Sequence, residues 1–226
     1  MRSLALAATL ALLVAFGTLG CQQIKDTLGL SEKKAPAGKR AAADAAKPEA
    51  RPGGTILMVL PQLGYNSDEY NVLRQVFEKA GYTAQVGAAR LGEATDATGD
   101  EKATIEVTIA DATEKVEDYV AVVFVGGPGA QMYHKDEGAH GLVKAAVASE
   151  KVLGAICLAP YTLANAGVLL GKQATVWVGG RFKKSNFEVL GPTFASGAVV
   201  RDGLIVTANG PEAAAEFGET ILETLK

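Results

Sequence analysis

Three short runs of nearly unbroken apolar residues constrain the fold of this chain more than any other feature: Thr55–Leu60, Val120–Val125 and Val152–Ile156. A strand with one wet face alternates apolar and polar side chains, whereas a strand covered on both faces reads as a continuous Val/Ile/Leu run. Segments of helical spacing separate these runs. Asn66 and Ser67 offer caps ahead of Glu69–Phe77, where apolar residues recur every three or four positions, and Gly81 stops that helix. Further strands are expected at Thr83–Val86 and Thr104–Ile109, and Gly126-Gly127-Pro128-Gly129 breaks the chain after the second apolar run. A helix from about Gly138 to Ser149 leads into the third run, and Pro160 suits the first turn of the next helix, where its missing N–H costs nothing. Ala198–Arg201 and Leu204–Thr207 flank Asp202-Gly203, a strong hairpin turn, and Pro211–Leu225 reads as a closing helix. Strands alternating with helices predict an α/β fold, with one domain built on a mostly parallel central sheet that carries helices on both faces.

The N-terminal quarter is different in kind. Met1-Arg2 gives a small positive start to an apolar run from Leu4 to Phe16, too short to span a bilayer comfortably and suited to the core of an export signal. The run ends in Thr18-Leu19-Gly20-Cys21, which resembles the lipobox of bacterial lipoproteins, although Thr18 stands where Leu is usual; an ordinary secretory signal with an incidental cysteine is the alternative. Residues 1–20 are expected to be the signal peptide, Cys21 the lipidated residue, 21–53 a disordered tether and 54–226 the folded domain. The tether is rich in Ala, Lys and Pro and lacks the apolar surface needed to offset its ordering entropy. From Gln22 to Gly53 there are seven Lys/Arg against four Asp/Glu; from Gly54 onward there are fourteen against twenty-one. A basic tether therefore carries an acidic domain, and nothing suggests nucleic acid as a partner. The expected location is a membrane reached through the lipid anchor. That is the outer membrane facing the periplasm in a diderm, or the cell surface in a monoderm. Of the two cysteines only Cys157 lies in the domain, so no internal disulfide is possible there.

Gly154-Ala155-Ile156-Cys157-Leu158-Ala159-Pro160 carries the chemistry. A nucleophile elbow is a tight strand-to-helix turn that needs small residues two places before and after the nucleophile, and Ala155 and Ala159 meet that need. The following helix would aim free N–H groups at the sulfur and favour thiolate. The alternative is a buried structural cysteine, a common thing.

The same stretch, with its surroundings, resembles the ThiJ/PfpI family of the class I glutamine amidotransferase-like superfamily, over nearly all of Gly54–Lys226. The marks are Glu69 about twelve residues before Gly81, Asp118-Tyr119 leading to Val123-Phe124-Val125-Gly126-Gly127, and Ala155-Ile156-Cys157 with Pro160. Ala166-Gly167-Val168-Leu169, Gly171-Lys172 and the tail Asp202–Thr207 with Gly210-Pro211 complete them. The resemblance implies a flavodoxin-like fold, Cys157 as nucleophile and Glu69 as the carboxyl group that hydrogen-bonds it. It also implies an oxyanion hole from the backbone N–H groups of Gly127 and Leu158. A thiolate and a carboxylate in contact repel, so one of them should hold a proton. Local spacing gives Glu69 another use, because Asn66 and Glu69 stand three apart as in a capping box.

This chain departs from the family at its histidines. Proteases of the family carry one directly after the cysteine, where Leu158 stands here, and the deglycase branch has one in a stretch that aligns near Trp177. Only His134 and His140 exist; His134 is a possible auxiliary residue, an exposed loop position being its plainer reading. Two histidines and one cysteine make no metal-ligand set, and the glycine run lacks both a Walker lysine and a G-x-G-x-x-G frame, so neither metal nor cofactor is expected. Without an acid for an amine leaving group, proteolysis is disfavoured. The leading expectation is cysteine chemistry on small reactive carbonyls, glyoxalase- or deglycase-like. The alternatives are an oxidation sensor or a binding module without turnover, with a peptidase or amidase last. A small-molecule substrate and a homodimer are the expected partners besides the membrane.

Overall fold

The computed structural model describes residues 53–226; the expected export signal, Cys21 and the tether as far as Pro52 lie outside the described residues. The elements, in chain order, begin with β1 (Thr55–Val59), β2 (Leu63–Tyr65), α1 (Ser67–Lys79), β3 (Thr83–Ala88), β4 (Gly92–Asp96), β5 (Lys102–Ile105), β6 (Val107–Thr108) and α2 (Ile109–Glu114). They continue with β7 (Tyr119–Phe124), α3 (Glu137–Ala148), β8 (Val152–Ile156), α4 (Pro160–Asn165), β9 (Gln173–Ala174), α5 (Lys184–Glu188), β10 (Thr193–Phe194), β11 (Val199–Asp202), β12 (Ile205–Ala208) and α6 (Ala214–Thr224). Short 3₁₀ turns cover Val116–Asp118, Pro128–Tyr133 and Pro211–Ala213.

The central sheet has the order β11-β12-β8-β7-β1-β3-β6 and is parallel except for the β11–β12 hairpin. The three apolar runs form its middle: Ile56–Val59, Ala121–Val123 and Leu153–Ile156 are almost wholly removed from water. That is why they read as continuous runs. Helices α1 and α6 pack together on one side, where Gly218 lets α6 approach Leu73 and Val76, and α6 sets Phe217 and Ile221 against Gly154 of β8. Helices α2 and α3 form the other layer.

Three details differ from the sequence reading. The stretch expected as one strand, Thr104–Ile109, is divided at Glu106, which joins Val86 through both its backbone N–H and its carboxylate (2.9 and 2.8 Å). Its first part pairs in a small separate sheet, β2-β4-β5, its second closes the main sheet as β6, and Ile109 already begins α2. The hairpin turn is displaced by one residue, because Asp202 pairs with Ile205 and leaves Gly203 and Leu204 at the tip. Finally, the two-stranded β10–β9 pair and the β2-β4-β5 sheet were not expected at all.

Candidate active site

In the central sheet the chain passes from β1 outward to β3, then returns to β7 on the opposite side of β1, and a crevice forms at the carboxyl ends of such strands. Three connections meet there: the one from β1 through β2 into α1, the Gly126–Gly129 turn after β7, and the turn after β8.

Cys157 sits directly after β8 with φ 61°, in the left-handed region that L-residues avoid at a cost of roughly 1–2 kcal/mol. Backbone hydrogen bonds on both sides hold it there. Its N–H donates to the carbonyl of Ala208, and its carbonyl accepts from the N–H of Trp177, both at 2.9 Å. Ala155 and Ala159 are buried on either side, as the elbow requires. The residue is buried, with 8% of its surface left exposed.

Glu69 stands at the start of α1. Asn66 caps the helix by accepting the Glu69 N–H at 2.9 Å, the first half of a capping box. The second half is missing, since the Asn66 N–H donates to the carbonyl of Gly126 at 3.1 Å. The Glu69 carboxyl turns away from its own helix: Oε2 accepts the Gly126 N–H at 2.9 Å, and Oε1 is buried without a hydrogen-bond partner. Glu69 is fully buried. Gly126 is the spacer. A β-carbon there would lie 2.5 Å from Cys157 Cβ and 2.7 Å from Glu69 Oε2, so thiol and carboxyl approach across a residue that must lack a side chain.

The electrostatics follow from this packing. Burial pushes the Glu69 carboxyl up to about 7, against the opposing pull of the Gly126 N–H and the Cys157 thiol. Burial, and then the charge of Glu69, push the Cys157 thiol up to about 12, while the backbone N–H groups of Gly127 and Leu158 act on the sulfur in the opposite sense. The two groups titrate as one pair: both hold a proton below about pH 7, and above it a single proton remains between them. This corrects the expectation that the following helix favours thiolate. Helix α4 has six residues, Pro160 has no N–H, and the N–H groups of Ala159, Tyr161 and Thr162 bond to Ile156, Leu158 and Ala159 carbonyls. The donors that face the sulfur are Gly127 and Leu158.

His134 neither lies free in a loop nor touches the thiol. Its Nε2 is 3.0 Å from the carbonyl of Leu158, so that nitrogen carries the hydrogen, and its ring packs on Tyr161 at 5.2 Å. Burial and the nearby Arg181 lower its pKa. His140 Nε2 in turn lies 3.0 Å from the His134 carbonyl. His134 thus supports the peptide beside the nucleophile. Leu158, where family proteases carry histidine, is buried. Among the described residues, no group of three or more His, Cys, Asp or Glu is placed to hold a metal ion.

The profile of the DJ-1/PfpI family matches residues 55–224. The chain belongs to the DJ-1/PfpI family. Among similar proteins, an uncharacterized protein of Methanocaldococcus jannaschii is 35% identical over 172 residues, 76% of this chain and 82% of that one. Protein dj-1beta of Drosophila melanogaster is 26% identical over 170 residues, 74% of this chain and 88% of its own. The crystal structure of a ThiJ/PfpI domain protein from Brachyspira murdochii superposes with a TM-score of 0.71 at 28% identity, covering 76% of this chain and 95% of that one.

One further feature adjoins this site. An open cavity of about 300 Å³ is lined by Trp177, Phe194, Asn209 and Glu212, among others. Glu212 acts on Glu69 electrostatically, and its Oε2 lies with Trp177 Cδ1 around Gly210. Glu212 follows Pro211 at the head of the closing helix, where an acidic residue is expected on grounds of the helix alone, so no sequence signal marked it.

Proposed function

We propose that this DJ-1/PfpI protein converts small reactive carbonyls, α-oxoaldehydes in particular, by covalent chemistry at Cys157. The observation that carries the reading is the strained Cys157 with two backbone N–H groups facing its sulfur and the buried Glu69 carboxyl beside it. In the singly protonated pair, sulfur adds to the aldehyde carbon, a C–S bond forms, and the proton goes to the carbonyl oxygen, giving a hemithioacetal. Glu69 then carries the hydrogen of that carbon, as a proton, to the neighbouring carbonyl carbon. The aldehyde carbon is oxidised to a thioester and its neighbour is reduced to an alcohol. Water hydrolyses the thioester, releasing the 2-hydroxy acid and restoring the thiol. The sum is oxoaldehyde plus water to hydroxy acid, balanced within one molecule. No leaving amine needs an acid, which suits a site where Leu158 replaces histidine.

The purified protein with methylglyoxal is expected to yield lactate, and Cys157→Ala to abolish it; equal turnover by that variant overturns the proposal.

A second reading rests on the same N–H donors, which would shelter an oxidised Cys157 as a sensor. Mild peroxide should then convert Cys157 to sulfinate, consuming two peroxides and releasing two waters, as read by mass spectrometry; a thiol that stays reduced excludes it. In either case the chain is proposed to act at a membrane surface, held by a lipid on Cys21.

A further inference from the structure

We propose that the cavity lined by Trp177, Asn209 and Glu212, on segments whose backbone is hydrogen-bonded to Cys157 or adjoins its partner Ala208, is a subsite for a positively charged group on the substrate, an ammonium or guanidinium carried by a small carbonyl compound and held by Glu212 and the aromatic wall. The inference rests on the reading of Cys157 as the reacting group and names the class of compound it receives.

The cavity is joined to the nucleophile by its backbone. Trp177 donates its N–H to the Cys157 carbonyl, and Asn209 follows Ala208, whose carbonyl receives the Cys157 N–H. Its walls are apolar and aromatic at Val176, Trp177 and Phe194, and its charge is a single carboxylate, that of Glu212, with no cationic residue in the lining. Glu212 is exposed, and a β-carbon at Gly210 would lie 3.6 Å from its Oε2 and 3.7 Å from Trp177 Cδ1, so carboxylate and indole line the same cavity on either side of a residue without a side chain. A carboxylate next to an aromatic surface attracts a cation by charge and by the ring's quadrupole together. One of the lining rings already faces a cation, since Lys184 Nζ lies 5.3 Å from the centre of the Phe194 ring while pairing with Glu188. A neutral oxoaldehyde has no use for Glu212. A carboxylate-bearing one would be repelled by Glu212 and by the charge shared between Glu69 and Cys157.

The test labels Cys157 of the intact protein with methanethiosulfonates of similar size bearing a trimethylammonium, a neutral or a sulfonate group, with peptide mass mapping to separate Cys157 from Cys21. The ammonium-to-sulfonate rate ratio should exceed that of free cysteine by roughly tenfold, fall about fivefold in Glu212→Gln and largely recover in Glu212→Asp. In parallel, agmatine should perturb the fluorescence of Trp177, the only tryptophan, and Glu212→Gln should weaken that response about fivefold. A ratio equal to that of free cysteine, or one that Glu212→Gln leaves unchanged because the overall acidity of the domain sets it, overturns the subsite. So does an agmatine response indifferent to Glu212. Absence of lactate with the charge preference intact would count against the proposed reaction and leave the subsite standing.

Discussion

Replacing Gly126 with alanine tests whether the thiol and the carboxyl are held together as described. The new methyl group would lie 2.5 Å from Cys157 Cβ, 2.7 Å from Glu69 Oε2 and 2.8 Å from the Ile156 carbonyl oxygen. Two of these neighbours are fixed, one being backbone and the other the β-carbon of a residue with strained φ, so the Glu69 carboxyl is the one that must move. Overpacking of this kind costs about 1–3 kcal/mol, and the rigid neighbours place this site in the upper part of that range. In a domain of roughly 170 residues each kcal/mol lowers Tm by about 2–4 °C, so calorimetry should show a fall of roughly 4–12 °C. Lactate formation should fall with it, because a displaced Glu69 no longer exchanges a proton with the sulfur. Gly141→Ala is the control. Gly141 lies inside α3 with nothing within 4 Å of an added β-carbon, and alanine there should stabilise by about 0.5–1 kcal/mol. A Gly126→Ala protein as stable and as active as the parent would refute the packing of Cys157 and Glu69 across this residue.

Other consequences follow from the same geometry. Glu69 holds its proton to about pH 7 in the fold but releases it near 4.5 when unfolded, so stability should fall as pH rises from about 4.5 to 7 and be level below that window. The loss is on the order of a few kcal/mol and should vanish in Glu69→Gln, as followed by urea unfolding at a series of pH values. Asn66→Ala removes the cap that fixes the first turn of α1 and should cost about 1 kcal/mol in the same assay, with a drop in Cys157 reactivity as Glu69 loosens. Cys21→Ser should move the protein from the membrane fraction to the soluble fraction after cell lysis; retention in the membrane would refute lipid anchoring.

The sequence was most legible where one physical demand admits few residue types. Buried parallel strands need unbroken apolar runs, and β1, β7 and β8 fall within a residue of where those runs lie. The elbow was readable because left-handed φ at Cys157 requires small neighbours, and Ala155 and Ala159 supply them. Glu69 was ambiguous for a definite reason: Asn66 does cap the helix, so the local signal was real, and only the position of Gly126 after β7 decides where the carboxyl turns. Such a choice depends on residues 57 positions apart and leaves no mark in local spacing. The β2-β4-β5 sheet was illegible because its strands are short and partly exposed, with Gly64 inside β2 and Gly92 opening β4. The raised thiol pKa was missed because a helix start was credited with donors that the turn itself consumes.

The most direct test of the account is the rate of Cys157 alkylation by iodoacetamide against pH, in the parent protein and in Glu69→Gln. If sulfur and carboxyl share one proton, the parent rate should rise through an inflection near pH 7, where the pair first ionises. In Glu69→Gln that inflection should disappear, leaving a single rise above the free-thiol value of about 8.5. Superimposable curves for the two proteins would contradict the account, since they would mean that Glu69 takes no part in the ionisation of Cys157.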